Sequence, residues 1–424
     1  MAARLPADLN LNQLARTTNA VQRRRGDGIE DGTALLRLSL ARGPGGKSLQ
    51  ETAAWAHLNG IAELTSQSLN ERLHRSVNFL AAVTHRLLAG RPLGKPALWS
   101  GRGLRIADGS SLSQPGSKGT DWRLHTVYDL SQGGFSHVEV TDRCGAESLL
   151  RCAPVANEVL IADRGYARAR ELRACLDPTG PDAREFIVRV GWKALALCDP
   201  AGKPFSLIGH LETLAATAGP QEYAVQAVVG RSRQPALLAL RLIAVPLPPD
   251  KAAANRAKLQ RRASKHQDEL DRRSLTAAGF MVLVTSLPGE IPTGEICAAY
   301  RLRWQVELAI KRLKSLIHID RLPTRTPDGG LSWLYPHLIL LLLSEDICQD
   351  FLESSPCGNC CQRTVLTVAV TQAGTRQLAL DAVGGVLGGS ALRALIGATS
   401  RLHWLLADPK RRRKRQFSPG RALS

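Results

Sequence analysis

Two short apolar runs close on the same three residues, Ile106-Ala-Asp108 and Ile161-Ala-Asp163, and each aspartate is followed at once or one residue later by glycine. Runs of Leu, Ile, Val and Ala without polar alternation read as strands buried on both faces, the kind found in sheets covered by helices. An ionisable side chain that closes such a strand comes out at the end of the sheet, where a metal or substrate can reach it. The chain is thereby constrained to an α/β arrangement with two carboxylates at the ends of two strands. Two such acids can share a divalent cation, because Mg²⁺ takes hard oxygen ligands and keeps positions open for phosphate and water. An aspartate that merely caps the turn after its strand is the other reading of each residue, and it stays open here.

The surrounding pattern supports a mixed sheet. Trp122 to Asp129, Phe135 to Thr141, Glu185 to Val190 and Phe280 to Thr285 read as further strands. Ala146 to Ala156 and Tyr166 to Leu176 read as helices between them. Three strands, a helix, a strand, a helix and a strand describe a sheet flanked by helices. Residues 205–276 look inserted, with strand-like Glu222 to Val229 and Ala236 to Val245 and then a highly charged helix from Lys251 to Arg273. The N-terminal part is helical: Ser48-Leu-Gln-Glu51 is a capping box for a helix over Leu49 to Leu58, ended by Asn59-Gly60. A second helix over Ser66 to Ala82 places Leu69, Leu73, Val77 and Leu80 on one face. The pair suits a helix-turn-helix or a plain helical hairpin equally. The expected organisation is a helical N-terminal region (1–95), a mixed α/β region in two parts (96–204 and 277–345) around the insertion (205–276), and a helical C-terminal region with a basic tail (346–424).

Charge points to the partner. The 424 residues carry 56 Lys+Arg against 37 Asp+Glu, a net charge of +19, and 44 of the cations are Arg against 12 Lys. Arg is the better bidentate partner for phosphate, so a polyanion, above all nucleic acid, is the expected ligand class. Lys410-Arg-Arg-Arg-Lys-Arg415 adds a basic tail with nonspecific DNA affinity. The longest apolar run, Leu338 to Leu343, is far short of a membrane span, and Met1 to Arg25 has no signal-peptide core. Nine scattered cysteines do not suggest a disulfide framework, and Cys357, Cys360 and Cys361 form a CxxC-like cluster without a second pair. A cytoplasmic protein with no membrane partner is expected.

The segment Tyr300-Arg-Leu-Arg-Trp-Gln-Val-Glu-Leu-Ala-Ile-Lys-Arg-Leu-Lys314 sharpens the reading. As one helix at about 100° per residue, it gathers Tyr300, Arg303, Trp304, Glu307, Lys311 and Lys314 on its exposed side. Leu302, Val306, Ala309, Ile310, Leu313, Leu316 and Ile317 then face the core. Intrahelical ion pairs explain part of that face. A metal-binding Glu307 framed by phosphate-gripping cations explains all of it. Tyr300, Arg303, Glu307 and Lys314, at intervals of three, four and seven, resemble the tyrosine–arginine–glutamate–lysine signature of the insertion-sequence-four family of transposases. Ile106-Ala-Asp108-Gly-Ser and Ile161-Ala-Asp163-Arg-Gly-Tyr166 resemble that family's two aspartate motifs, with intervals of 55 and 144 residues along the three acids.

The resemblance implies a helical DNA-binding region over 1–95, an RNase H-like catalytic core (96–204 and 277–345) with a strand-rich insertion, α/β in class, and a DDE mechanism. Asp108, Asp163 and Glu307 would hold two Mg²⁺ ions, with Mn²⁺ as a substitute, for cleavage at the inverted-repeat ends and strand transfer into target DNA. Tyr300, Arg303, Lys311 and Lys314 would grip phosphates, and Trp304 would stack on an extruded base or simply cover the helix edge. Arg164, Tyr166 and Glu147 lie near the motifs without a spacing that singles them out. The implied partner is double-stranded DNA, bound by a homodimer that pairs two ends. A nuclease or resolvase would need the same acids without rejoining strands. A DNA-binding regulator would need none of them.

Overall fold

The computed structural model describes residues 5, 9–21, 29, 31–89, 99, 101–117, 119–155, 157–176, 184–214, 219–230, 232, 234–316, 319–320 and 322–353. In chain order the helices and strands are α1 (Leu11–Thr17), α2 (Gly32–Arg42), α3 (Leu49–Leu58), α4 (Ser66–Arg75), α5 (Val77–Ala89), β1 (Gly103–Leu112), β2 (Trp122–Asp129), β3 (Gly134–Asp142), β4 (Glu158–Ala162), α6 (Ala169–Cys175), β5 (Glu185–Arg189), β6 (Leu197–Cys198), α7 (Leu207–Thr213), β7 (Gln221–Val229), β8 (Ala236–Pro246), α8 (Pro249–His266), α9 (Arg272–Ala277), β9 (Phe280–Thr285), α10 (Thr293–Arg301), α11 (Trp304–Leu316) and α12 (Pro327–Glu353). Two compact units result: residues 92–111 with 122–308, and residues 1–91 with 112–121 and 309 onwards. The Cys357 cluster and the Lys410–Arg415 tail lie outside the described residues.

The first of these units is built on one nine-stranded sheet, ordered β3-β2-β1-β4-β5-β9-β8-β7-β6. β1, β4 and β5 are parallel, and β2 pairs antiparallel with β3. The order 3-2-1-4-5 of the leading strands is that of an RNase H-like core, the mixed α/β class expected. The strands of residues 205–276 do not form a sheet of their own. β7 pairs with β8 and β8 with β9, which itself pairs with β5, so the insertion lengthens the central sheet. Period-two burial makes this possible: Leu160 and Ala162, Phe186 and Val188, Val282 and Val284, and Leu240, Leu242 and Ala244 all join one core cluster. Ile106, Ile161, Ile187, Ile243 and Leu283, of opposite parity, are fully buried as well.

Several expected helices differ. The helix expected over Ala146 to Ala156 is a single 3₁₀ turn at Leu149–Arg151. Carbonyls that a helix would use accept instead from arginines: Leu149 and Cys152 from Arg184 (both 2.9 Å), Ala153 from Arg105 (3.2 Å) and Ala146 from Arg151 (2.7 Å). Pro154 contributes no N–H. The charged helix from Lys251 breaks at Gln267, which takes a left-handed conformation (φ 55°), before α9 begins. The helix over Ser66 to Ala82 divides at Ser76, whose buried hydroxyl donates to Leu73 O (2.6 Å).

The other unit is helical. Ser48 and Glu51 form the reciprocal capping box of α3, with the Ser48 N–H donating to Glu51 Oε2 (2.7 Å) and the Glu51 N–H to Ser48 Oγ (3.1 Å). Leu35, Leu36, Leu69, Phe79, Leu80 and Val83 make its core together with Ile339 and Leu342 of α12. The apolar run from Leu338 is therefore core. Among the described residues no helix is long and apolar enough to cross a membrane.

Two predictions concern the sheet unit. Arg105 and Arg184 meet Glu158 at 2.6 and 3.4 Å, and all three are at most 4% exposed. Glu158→Gln leaves two guanidinium groups without their counter-charge, and urea unfolding is expected to show a loss of about 3–5 kcal/mol. His125, 3% exposed against Thr141 Oγ1 (2.9 Å), is held down to about 4 by burial and by the Arg151 charge. Its imidazole stays neutral in the fold, while the unfolded chain takes up a proton below about 6.5. Stability is therefore expected to fall as pH drops from 6.5 towards 4, and His125→Asn should flatten that part of the urea-midpoint profile.

Candidate active site

Parallel pairing of β1 with β4 sets the site. The register runs from Gly103↔Glu158 to Ile106↔Ile161 and Ala107↔Ala162, so Asp108 and Asp163 each follow the last paired residue. Asp163 ends its strand as the sequence suggests. Asp108 does not: β1 continues to Leu112, because its other neighbour β2 keeps it hydrogen-bonded, and Asp108 O accepts from the Thr126 hydroxyl (3.3 Å). The exit of the Asp108 side chain comes from the ending of β4 rather than of β1.

The Gly109 N–H donates to Asp108 Oδ1 at 2.9 Å. Burial pushes the Asp108 carboxyl up to about 6. The Gly109 N–H and the Arg303 charge pull the other way, and Glu307 and Glu147 push it further up. Asp163 opens a 3₁₀ turn over Arg164–Tyr166 and faces Arg189 Nη1 at 3.7 Å. The Tyr300 hydroxyl donates to Asp163 Oδ1 at 3.4 Å. Burial raises the Tyr300 phenol to about 12, and Asp163 adds to the rise, so the hydroxyl keeps the proton it donates.

The segment carrying Tyr300 and Glu307 is two helices. α10 ends at Arg301 and α11 starts at Trp304, with i→i−3 bonds from Leu302, Arg303, Gln305 and Val306 between them. A 3₁₀ step turns three residues per revolution instead of 3.6, which rotates the face of α10 relative to that of α11. Tyr300, expected on the exposed side, is consequently buried, and Leu302, expected in the core, is 37% exposed. Val306, Ala309 and Ile310 are buried as expected, and Trp304 is 51% exposed. Arg303, in the turn, donates to Glu307 Oε1 at 2.5 Å. Lys311 and Lys314 follow on α11, the first exposed and the second half-buried.

Asp108, Asp163 and Glu307 offer only hard carboxylate oxygens, which suit Mg²⁺ or Mn²⁺ rather than a thiolate-seeking metal. Burial is the main thing that disfavours the Asp108 anion, the Gly109 N–H and Arg303 offset it, and Glu307 and Glu147 add to it, a balance that a divalent ion would shift towards the carboxylate. Among the described residues no three His, Cys, Asp or Glu side chains are grouped to hold an ion, since Arg303 takes Glu307 and Arg189 and Tyr300 take Asp163. The donor set fits a metal in kind. Arg189 is a residue that sequence reasoning missed. Its one signal was its place at the end of a strand that pairs in parallel with β4.

The sequence profile described as Transposase DDE domain matches residues 99–343. The InsL protein of insertion sequence element IS186A, from Escherichia coli (strain K12), is 37% identical over 347 residues, covering 82% of this chain and 92% of that protein. The transposase for insertion sequence element IS421, from Escherichia coli, is 37% identical over 348 residues with the same shares. The chain belongs to the DDE transposase family. The insertion-sequence transposase suggested by the three motifs is thus borne out. A cryo-EM structure of the piggyBac transposase synaptic complex with hairpin DNA is 9% identical, with a TM-score of 0.42 over 91% of this chain and 80% of that one, too distant a likeness to add weight. As a DDE transposase the protein is an enzyme of DNA cleavage and strand transfer, and dependence on a divalent metal comes with the family.

Tyr300→Phe removes the hydroxyl that reaches Asp163 and leaves the buried ring in place. Single-turnover cleavage of a transposon-end duplex is expected to slow on the order of ten- to a hundred-fold. The circular dichroism spectrum should match that of the unaltered protein.

Proposed function

We propose that this transposase cuts DNA at the inverted-repeat ends of its insertion sequence and joins the freed 3′ ends to target DNA, with Asp108, Asp163 and Glu307 as the metal-holding acids. The observation that carries this reading is the β1–β4 register, in which both aspartates follow the last paired residues of adjacent parallel strands. When bound, two Mg²⁺ ions, or Mn²⁺ in their place, would activate the attacking water or 3′-hydroxyl and stabilise the leaving oxygen.

The chain's own residues supply the rest. Arg303 and Arg189 hold Glu307 and Asp163 by charge, so each acid keeps its orientation before substrate arrives. Tyr300 fixes Asp163 from the opposite helix by its hydroxyl. Scissile and flanking phosphates would compete for the same guanidinium groups, which can turn from the acids to the substrate. Lys311 and Lys314 extend the phosphate grip along α11, and the exposed Trp304 ring offers a face on which an extruded base can stack. Helices α3 and α4, packed on each other, are the assigned reader of the transposon end. Two copies pairing two ends make the acting form a homodimer, working on chromosomal DNA in the cytoplasm.

The test uses the DNA that flanks the gene. Purified protein is mixed with labelled duplexes from those flanks and a supercoiled plasmid, with Mg²⁺ or with EDTA. Metal-dependent joining of the label to the plasmid is expected. Asp108→Ala, Asp163→Ala and Glu307→Ala should each abolish it, about a thousand-fold or more, while gel-shift affinity for the duplex persists. Cutting without joining would replace the reading by that of a nuclease.

A further inference from the structure

The loop between β3 and β4 brings Glu147 to the two aspartate turns at once. A Cβ placed on Gly109 would lie 3.0 Å from Glu147 Oε1, and one on Gly165 would lie 1.6 Å from Glu147 Oε2. Gly109 directly follows Asp108, and Gly165 sits in the turn that Asp163 opens. The carboxylate of Glu147 thus fills the space where either glycine would carry a side chain. Neither glycine has a positive φ; a Cβ at Gly165 would displace the tip of the Glu147 side chain, and one at Gly109 would press on it by a few tenths of an ångström.

The backbone on either side of Glu147 is held in place. Arg151 donates to Ala146 O (2.7 Å) and holds the Glu139 carboxylate (2.9 Å). Buried Arg184 donates to Leu149 O and Cys152 O, both at 2.9 Å. Leu149 itself is fully buried, and Ser148 Oγ accepts from the Leu150 N–H (3.2 Å). The loop is therefore clamped on each side of Glu147 while no cation is drawn onto its carboxylate by those clamps. Its negative charge acts on both Asp108 and Tyr166. A carboxylate lying between the two aspartate turns has a use in spacing them and in adding to the field that draws cations in.

We propose that Glu147 is a positioning residue of the catalytic centre: its carboxylate spaces the Gly109 and Gly165 turns that present Asp108 and Asp163, and its charge strengthens the hold on divalent ions. The inference rests on the assignment of those two aspartates as metal ligands. It acts through Gly109, whose N–H holds the Asp108 carboxylate, and through the Gly165 turn.

The full-length protein carries the test, with Glu147→Gln keeping the shape without the charge. Two readouts are taken: the Mg²⁺ concentration for half-maximal cleavage of the end duplex, and the rise in melting temperature caused by Mn²⁺ alone, without DNA. Glu147→Gln is expected to melt like the unaltered protein in EDTA, to need about tenfold more Mg²⁺ and to lose most of the Mn²⁺-induced rise. Gly165→Ala should lose cleavage at every Mg²⁺ concentration. The double variant Gly165→Ala with Glu147→Ala should recover about tenfold over Gly165→Ala, because the new methyl group then has room. An unchanged Mg²⁺ requirement and Mn²⁺ response in Glu147→Gln would overturn the proposal, as would a double variant no more active than Gly165→Ala. Asp108→Asn and Asp163→Asn separate the two levels. If they abolish cleavage and the Mn²⁺ response while Glu147→Gln changes neither, only the role of Glu147 falls. If they too change nothing, the metal-site assignment falls and takes this inference with it.

Discussion

Five successive parallel pairings, from Gly103↔Glu158 to Ala107↔Ala162, bring two strands of distant sequence to the same level, and Asp108 and Asp163 both follow directly on that level. Parallel strands in a common register point equivalent residues to the same face. A slip of one residue would send one aspartate to the opposite face of the sheet. The pairing resists a slip because both faces of these strands are buried: Ile106 and Ile161 on one side, Ala107, Leu160 and Ala162 on the other. Below the strands, the buried Arg105–Glu158–Arg184 network anchors the start of β4 and the loop before it. The same network therefore positions Asp163 by way of β4 and Glu147 by way of the loop.

Charge balance is the second constraint. A half-buried cluster of carboxylates is costly without cations nearby. The fold meets this with Arg303 on Glu307 and Arg189 on Asp163. These are exchangeable partners, since a guanidinium that pairs with a carboxylate pairs as well with a phosphate. Where the carboxylates hold a metal, as proposed, these arginines would be left for the DNA backbone. The high arginine content and the acidic centre of the protein are in this sense two parts of one arrangement.

Much of the architecture was legible because it depends on neighbours in sequence. The capping box at Ser48 and Glu51 defined α3 to the residue, since cap geometry involves only four consecutive positions. Both aspartates stood out because apolar runs and the residues that end them are local patterns. The four-residue signature around Glu307 named the family before any contact was known. Other features escaped for the opposite reason. The division of the Tyr300–Lys314 segment at Leu302–Arg303 leaves no breaker in the sequence, and it reversed the sides taken by Tyr300 and Leu302. The loop over residues 146–153 looked helical because the arginines that claim its carbonyls include Arg105 and Arg184, more than thirty residues away.

Local pattern was enough to single out the acids, because periodicity, caps and strand-ending residues are written within a few positions of one another. It was the resemblance of three short motifs to a known signature that pointed to the family and its class of chemistry. Tertiary structure alone decided that the insertion's strands continue the central sheet, that Arg189 and Tyr300 share Asp163, and that Glu147 occupies the space beside Gly109 and Gly165. Each of these depends on which strands pair and at what register. Pairing is settled by the burial of whole faces against one another, a sum over the sheet that no short stretch of sequence contains.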